Sequence, residues 1–226
     1  MSQFVSHETP YAVVEEESPE FAARNLRTGA HLWASATAFF FIGFLFAYFY
    51  LRSLDNNGMW KPKHVDPSIT LGTLGMLSIV GVAVLLALAR GDHRRENRRA
   101  WRQKGGLALA LLVAAIGFQI ALWATNAFGP TQGGYASVYI GWTALEFVFF
   151  LGLLYWLETT LATSLRYRKE MPAELTAGEA SGDPHRTASD IRDPLSVVRA
   201  QLESLTFYAQ FLAGIAVITW IVLYLA

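Results

Sequence analysis

Glu146 is the residue of this chain best placed to do chemistry. It lies near the middle of Tyr135–Leu157, a stretch with no other charge. An isolated charge at the centre of a bilayer costs about 2.5–3.5 kcal/mol on insertion scales. Such a carboxyl group must face protein or water, pair with a neighbour, or keep its proton. Helical spacing places Tyr139, Thr143 and Glu146 on one stripe. Two readings stay open. The group holds a proton or lines a polar cleft, or it is a neutral hydrogen-bonded link to a neighbouring helix or subunit. Gln119, Trp123 and Asn126, at spacings of four and three, share another helix face. Ser35, Thr37, Tyr208 and Gln210 are further polar residues in apolar stretches. Polar side chains inside membranes mostly join helices. Beside Glu146, Thr143 and Tyr139, the intramembrane polar candidates are therefore Gln119 and Gln210.

Other chemistry is poorly provided for. There is no cysteine, which excludes disulfides, thiolate metal sites and iron–sulfur clusters. Membrane haem and copper sites draw largely on histidines within the spans. Of His7, His31, His64, His93 and His185, only His31 touches an apolar stretch, and no pair has ligand spacing. No metal or redox cofactor is expected on this chain alone. No phosphate-binding glycine loop, helical zinc motif or Ser/His/Asp set is present either, so no catalytic residue is assigned.

These residues must be positioned by membrane helices. Of 226 residues, 53% are hydrophobic and 16% charged, whereas soluble domains usually carry about 25% charged residues. Five stretches, 30–51, 69–89, 105–128, 135–157 and 204–226, reach the roughly 20 apolar residues needed to cross a bilayer. Continuous apolar runs favour helices, whose backbone bonds are satisfied internally, over alternating barrel strands. The expected fold is an all-α integral membrane protein, a bundle of five transmembrane helices. Gly72, Gly75, Ser78 and Gly81 should let the second helix approach its neighbours closely. Aromatic residues near span ends, among them Trp33, Tyr48, Tyr50, Trp123, Tyr135, Trp156 and Tyr224, fit interfacial belts.

The 18 basic and 18 acidic residues cancel, which argues against a nucleic-acid partner. Their distribution is uneven. Arg90, Arg94, Arg95, Arg98, Arg99, Arg102 and Lys104 fall between spans two and three, six more basic residues between spans four and five, and Arg24 and Arg27 before span one. Only Arg52, Lys61 and Lys63 lie on the other side. The positive-inside rule then predicts a cytoplasmic N-terminus and an external C-terminus. The cluster Arg90–Arg102 is a topology signal whose guanidinium groups are candidates for anionic lipid head groups; a docking surface is its alternative. Residues 1–29, with Glu15, Glu16, Glu17 and Glu20, are expected to form an acidic cytoplasmic arm rather than a signal peptide. Residues 163–201, punctuated by Pro172, Gly178, Gly182, Pro184 and Pro194, are expected to form a cytoplasmic loop or short surface helix. No internal repeat is evident.

Several segments resemble, in order, those of the cytochrome c oxidase subunit III family. In Thr28–Arg52, the residues Trp33, Phe40, Phe41, Gly43, Ala47, Tyr48, Phe49 and Arg52 keep that family's first shared helix pattern. Met59–Ser68 resembles its Trp-x-Pro external loop, and Ile116–Gln119 a later Phe-Gln helix end. Gly133–Glu146 resembles its Gly-x-Tyr-x-Ser-Val-Phe start, and Phe207–Leu225 its closing helix. The family's diagnostic polar residues are largely exchanged: Thr37 and Leu122 stand where it usually has Glu, and Glu146, Phe149 and Gln210 where it has His.

The resemblance implies a divergent five-helix bacterial form in the plasma membrane. It implies a non-catalytic subunit III of a haem–copper terminal oxidase, in aerobic electron transfer to oxygen coupled to proton translocation. Haem and copper would sit in partner subunits I and II. Phospholipid would bind in a cleft, and the chain would stabilise subunit I and support proton uptake. The segment with Trp33, Phe40, Gly43 and Tyr48 is the expected subunit contact. A partner of a nitric oxide reductase, or a small transporter or scaffold subunit, is the alternative.

Overall fold

The computed structural model describes residues 19–55, 58–95, 97–180 and 194–226, with side chains left out at 19–20, 98, 166–180 and 194–197. Five helices account for most of these: α1 (Pro19–Ser53), α2 (Ile69–Arg94), α3 (Arg98–Thr125), α4 (Gly134–Ala180) and α5 (Pro194–Trp220). A π-helical turn, Ile221–Leu225, continues α5. All five are long and apolar enough to cross a membrane. The chain is thus a multi-pass helical membrane protein, and alternate helix ends define two faces. One carries the α1–α2 and α3–α4 connections and is called the loop face. The other carries the α2–α3 turn and is called the arginine face.

Local sequence sets the helix ends. Ser68 caps α2 by accepting from the Leu71 amide at 3.4 Å. Asn97 caps α3, accepting from the Ala100 amide at 3.1 Å.

Three boundaries differ from the sequence expectation. Residues 19–29 belong to α1 rather than to an arm, because Phe-Ala-Ala-Arg-Asn-Leu-Arg favours helix over coil; Glu15–Glu17 lie outside the described residues. The basic residues between spans two and three are not a loop. Arg90 and Arg94 close α2, and Arg98, Arg99 and Arg102 open α3, so that only residues 95–97 connect them. Finally, α4 runs on to Ala180, and α5 is described from Pro194, so the described part of 163–201, expected as a loop or short surface helix, continues the flanking helices. The Glu, Lys, Arg, Ala and Leu residues between 165 and 180 are strong helix formers, and they outweigh Pro172 and Gly178 as breakers.

α2 and α3 form the most extensive helix pair. α5 packs against α1, α2 and α4, while α4 also meets α1 and α3. A main core results, with Val82, Leu86, Leu112, Leu153, Leu205 and Leu212 fully enclosed, and a small second cluster of Ala89, Trp101 and Leu202 lies toward the arginine face. The outside is apolar as well. Phe39 and Phe46 on α1 are 77% and 69% exposed, as expected of side chains that face lipid rather than water. Glycine admits one of the closest approaches. A Cβ at Gly72 would collide with the ring and hydroxyl of Tyr224, so α2 leaves room for that side chain only because the residue is glycine.

The loop face is closed by the α1–α2 connection. Trp60 donates its amide to Asp55 Oδ1 at 2.9 Å, and its carbonyl accepts from the Tyr135 amide at 2.9 Å. Its ring stands edge-on to Tyr48 and Tyr135. Tyr48 and Tyr135 are therefore buried at 2% exposure each, and are core residues rather than members of an interfacial belt.

Candidate functional site

Glu146 sits on the inward stripe of α4, only 5% exposed. α4 turns Thr143 and Tyr139 to the same interior, both buried. Small residues facing them leave a cavity of about 40 Å³ between α2, α3, α4 and α5, lined by Gly72, Gly75, Gln119, Glu146, Thr219 and Tyr224 among others. Two buried polar atoms in this region have no hydrogen-bond partner, Glu146 Oε1 and Gln119 Nε2. Buried polar atoms normally find partners, since leaving one unmade costs about 1–3 kcal/mol. A carboxyl oxygen and an amide nitrogen without partners thus border one cavity.

The walls are tied by hydrogen bonds between helices. Trp123 Nε1 on α3 donates to Thr143 Oγ1 at 3.0 Å. Trp142 Nε1 on α4 donates to Thr219 Oγ1 on α5 at 2.9 Å, and the Thr219 hydroxyl stands beside the Glu146 carboxyl group. Trp220 Nε1 donates to Thr73 Oγ1 on α2 at 3.0 Å. These links fix the cavity wall without using Glu146 Oε1. Toward the loop face, the Tyr224 hydroxyl lies 3.1 Å from that of Tyr139, which in turn neighbours the Asn126 side chain. Tyr135 donates to the Leu223 carbonyl at 2.6 Å, one of the carbonyls within the π turn. Thr219, Trp142, Trp220 and Tyr224 are not singled out by sequence as site residues. A polar or amphipathic side chain every three to four residues late in the last span is the available signal.

The sequence candidates divide. Glu146, Thr143, Tyr139 and Gln119 come together. Gln210 does not: it lies on the exposed side of α5, because Tyr208, Ala209 and Leu212 take the inward positions of that turn. Thr37 Oγ1 donates to the Trp33 carbonyl at 2.8 Å and lies 3.2 Å from Tyr208 Oη, joining α1 to α5. Of the expected contact segment, Trp33 and Phe40 are each 54% exposed and Gly43 opens onto free space. Tyr48 is turned inward, held by Trp60, and is no part of that outer face.

Among the lipid candidates, Arg95 and Arg99 are exposed and Arg90 is half-buried; the side chain of Arg98 lies outside the described residues. Two others are engaged within the chain. Arg94 pairs with Glu203 at 3.0 Å, and Arg102 donates to the Ser164 carbonyl. Both are drawn in because the α2 and α3 ends pack against α5 and α4. Glu203 gathers Arg27 at 2.8 Å and Arg199 at 3.6 Å as well, so that one carboxylate on α5 ties α1 and α2 at the arginine face. Among the described residues no group of three or more His, Asp or Glu side chains is close enough to hold a metal.

Fold and site together define a helical membrane protein with a buried carboxyl-lined cavity. No family model matches the chain, and no curated protein matches it.

Proposed function

We propose that this chain is a non-catalytic, subunit III-like component of a haem–copper terminal oxidase in a bacterial plasma membrane. It stabilises subunit I, carries phospholipid on its surface, and holds an exchangeable proton at Glu146 in support of proton uptake. Haem and copper belong to subunits I and II. The observation that carries this reading is the meeting of three segments that resemble the family. Tyr48 from the first, Trp60 from the Trp-x-Pro loop, and Gly133–Tyr135 from the Gly-x-Tyr helix start converge at the loop face. Segments so distant in sequence have reason to resemble one family together when they form one packing unit. The exposed face with Trp33, Phe40 and Gly43 offers the apolar surface that a neighbouring subunit would cover.

The test is purification of the chain from native membranes in mild detergent, with mass spectrometry and a reduced-minus-oxidised spectrum of the same sample. Haem bands together with a histidine-rich multi-helix subunit are expected. A colourless sample whose partners remain intact would overturn the reading and leave a scaffold or transporter subunit. Within an oxidase, Glu146→Gln is expected to lower proton-coupled turnover or operational lifetime more than assembly. Turnover and lifetime equal to wild type would remove Glu146 from the function.

A further inference from the structure

Next to Glu146 the interior holds unpartnered polar atoms toward one face, whereas toward the other the buried hydroxyls of Thr37, Thr160, Thr206 and Tyr208 are already paired within the chain. Toward the loop face lie the cavity, the paired hydroxyls of Tyr224 and Tyr139, and Asn126. Asn126 itself is half-exposed at the end of α3. Toward the arginine face, the next two turns of α4 present Leu153 and Leu157, packed with Val82, Leu86, Leu112 and Leu212, all 0–1% exposed. A cavity of about 40 Å³ bordered by a carboxyl oxygen, an amide nitrogen and a phenol has both the room and the partners to hold water. In the leucine-rich layer the buried hydroxyls are taken: Thr206 and Thr160 donate to carbonyls of their own helices, and Tyr208 pairs with Thr37.

We propose that the cavity is a proton- and water-binding site reached from the loop face alone. The proton on the Glu146 carboxyl passes to a water in the cavity as its O–H bond breaks. The hydroxyls of Tyr224 and Tyr139 each accept one proton and release another, so both end unchanged, and the proton leaves beside Asn126. Glu146 and Tyr224 are the titratable side chains that line the cavity, with Tyr139 behind Tyr224; α2, α3 and the helical part of α5 present Gly72, Gly75, Gln119 and Thr219 there, none of which titrates. The route rests on the proton-holding role given to Glu146, and adds the face with which that proton exchanges.

The absence of cysteine makes the test direct. Glu146→Cys and, separately, Gln119→Cys are made in the full chain and placed in sealed native-membrane vesicles of both orientations. Silver ion, a small thiol-reactive cation, is added outside, quenched, and the remaining thiol counted with a fluorescent maleimide after denaturation. Reaction from the loop face is expected to exceed that from the arginine face by roughly fifty-fold or more, given the cost of a charge in an apolar layer. Adding Tyr224→Phe and Tyr139→Phe should slow the loop-face reaction. Equal rates from both faces, a faster rate from the arginine face, or no reaction of either cysteine from either face would overturn the proposal. Sidedness with an unaltered Glu146→Gln oxidase would leave the water route standing and remove only the oxidase role.

Discussion

The two halves of the bundle interior are built from the same helices but solve different problems. On the loop side, α3, α4 and α5 exchange side-chain hydrogen bonds through Trp123–Thr143, Trp142–Thr219 and Tyr139–Tyr224. On the arginine side the helices meet largely through leucines, with the hydroxyls of Thr160 and Thr206 turned back onto their own helices, Tyr208 paired with Thr37, and the charged groups gathered at the rim around Glu203. Packing in lipid gains little from apolar burial, because lipid tails are as apolar as leucine. The leucine half therefore holds by shape and van der Waals contact, which a change of volume or charge disturbs. The hydroxyl-and-indole half holds by directed bonds, which leave a gap wherever a small residue such as Gly72 or Gly75 faces a polar one. Glu146 sits at the boundary, so the comparison can be broken from either side.

The largest effect is expected in the apolar half. Leu153→Asp puts a carboxyl group two turns from Glu146, at a fully enclosed position in the same core as Leu86, Leu112 and Leu212. It should cost at least about 2.5–3.5 kcal/mol and sharply reduce the yield of folded protein. Recovery and thermal unfolding in detergent, against Leu153→Asn and Leu153→Ala, read this out. A Leu153→Asp variant as stable as wild type would mean that water reaches this layer, and the contrast between the halves would fall.

A smaller effect, of the opposite sign, is expected at the boundary. Glu146→Leu removes an oxygen that no protein group satisfies and keeps roughly the volume. Thr219 retains Trp142 as its donor, and its hydroxyl, which loses the Glu146 carboxyl group as acceptor, is the one group the change leaves to find a new partner. Stability should stay unchanged or rise by about 1 kcal/mol, as when other buried polar groups are replaced by apolar ones. Thermal unfolding of the purified variant measures it. A loss above about 2 kcal/mol would show that the carboxyl group is a structural link, the second of the two readings its sequence position allows.

How far this is legible in the sequence follows from the same contrast. Apolar length and charge point to five helices, because a span is a property of consecutive residues. The α4 stripe of Tyr139, Thr143 and Glu146 is also readable, since helical period alone sets it. Partner identity is not. Thr219 lines the cavity because α5 turns it inward, and the same rotation turns Gln210, half a turn away, outward; Tyr224 reaches the cavity from the π turn beyond, and nothing in a single helix fixes that rotation or that turn. The aromatic belt fails at Tyr48 and Tyr135 for a similar reason. Position near a span end is visible in sequence, whereas the folding of Trp60 over them is a tertiary event. At 163–201, where sequence left loop and surface helix open, the described part is helical, because Pro172 and Gly178 break a helix less than the residues around them favour it.

Glu203 shows how little such a polar rim needs to contribute. It lies one residue before the span that apolarity delimits, and it collects Arg27, Arg94 and Arg199. Its side chain is only 15% exposed, but the three arginines are 51–56% exposed, so water and salt screen each pair. Glu203→Ala should therefore cost about 1 kcal/mol in total rather than the sum of three buried bridges, and the difference from wild type should shrink as salt is raised from low concentration. Unfolding midpoints at two ionic strengths test this. A larger, salt-independent loss would mean that the arginine face is sealed from solvent, and that the hold of α5 on α1 and α2 depends on charge there as much as it depends on hydroxyls at the loop face.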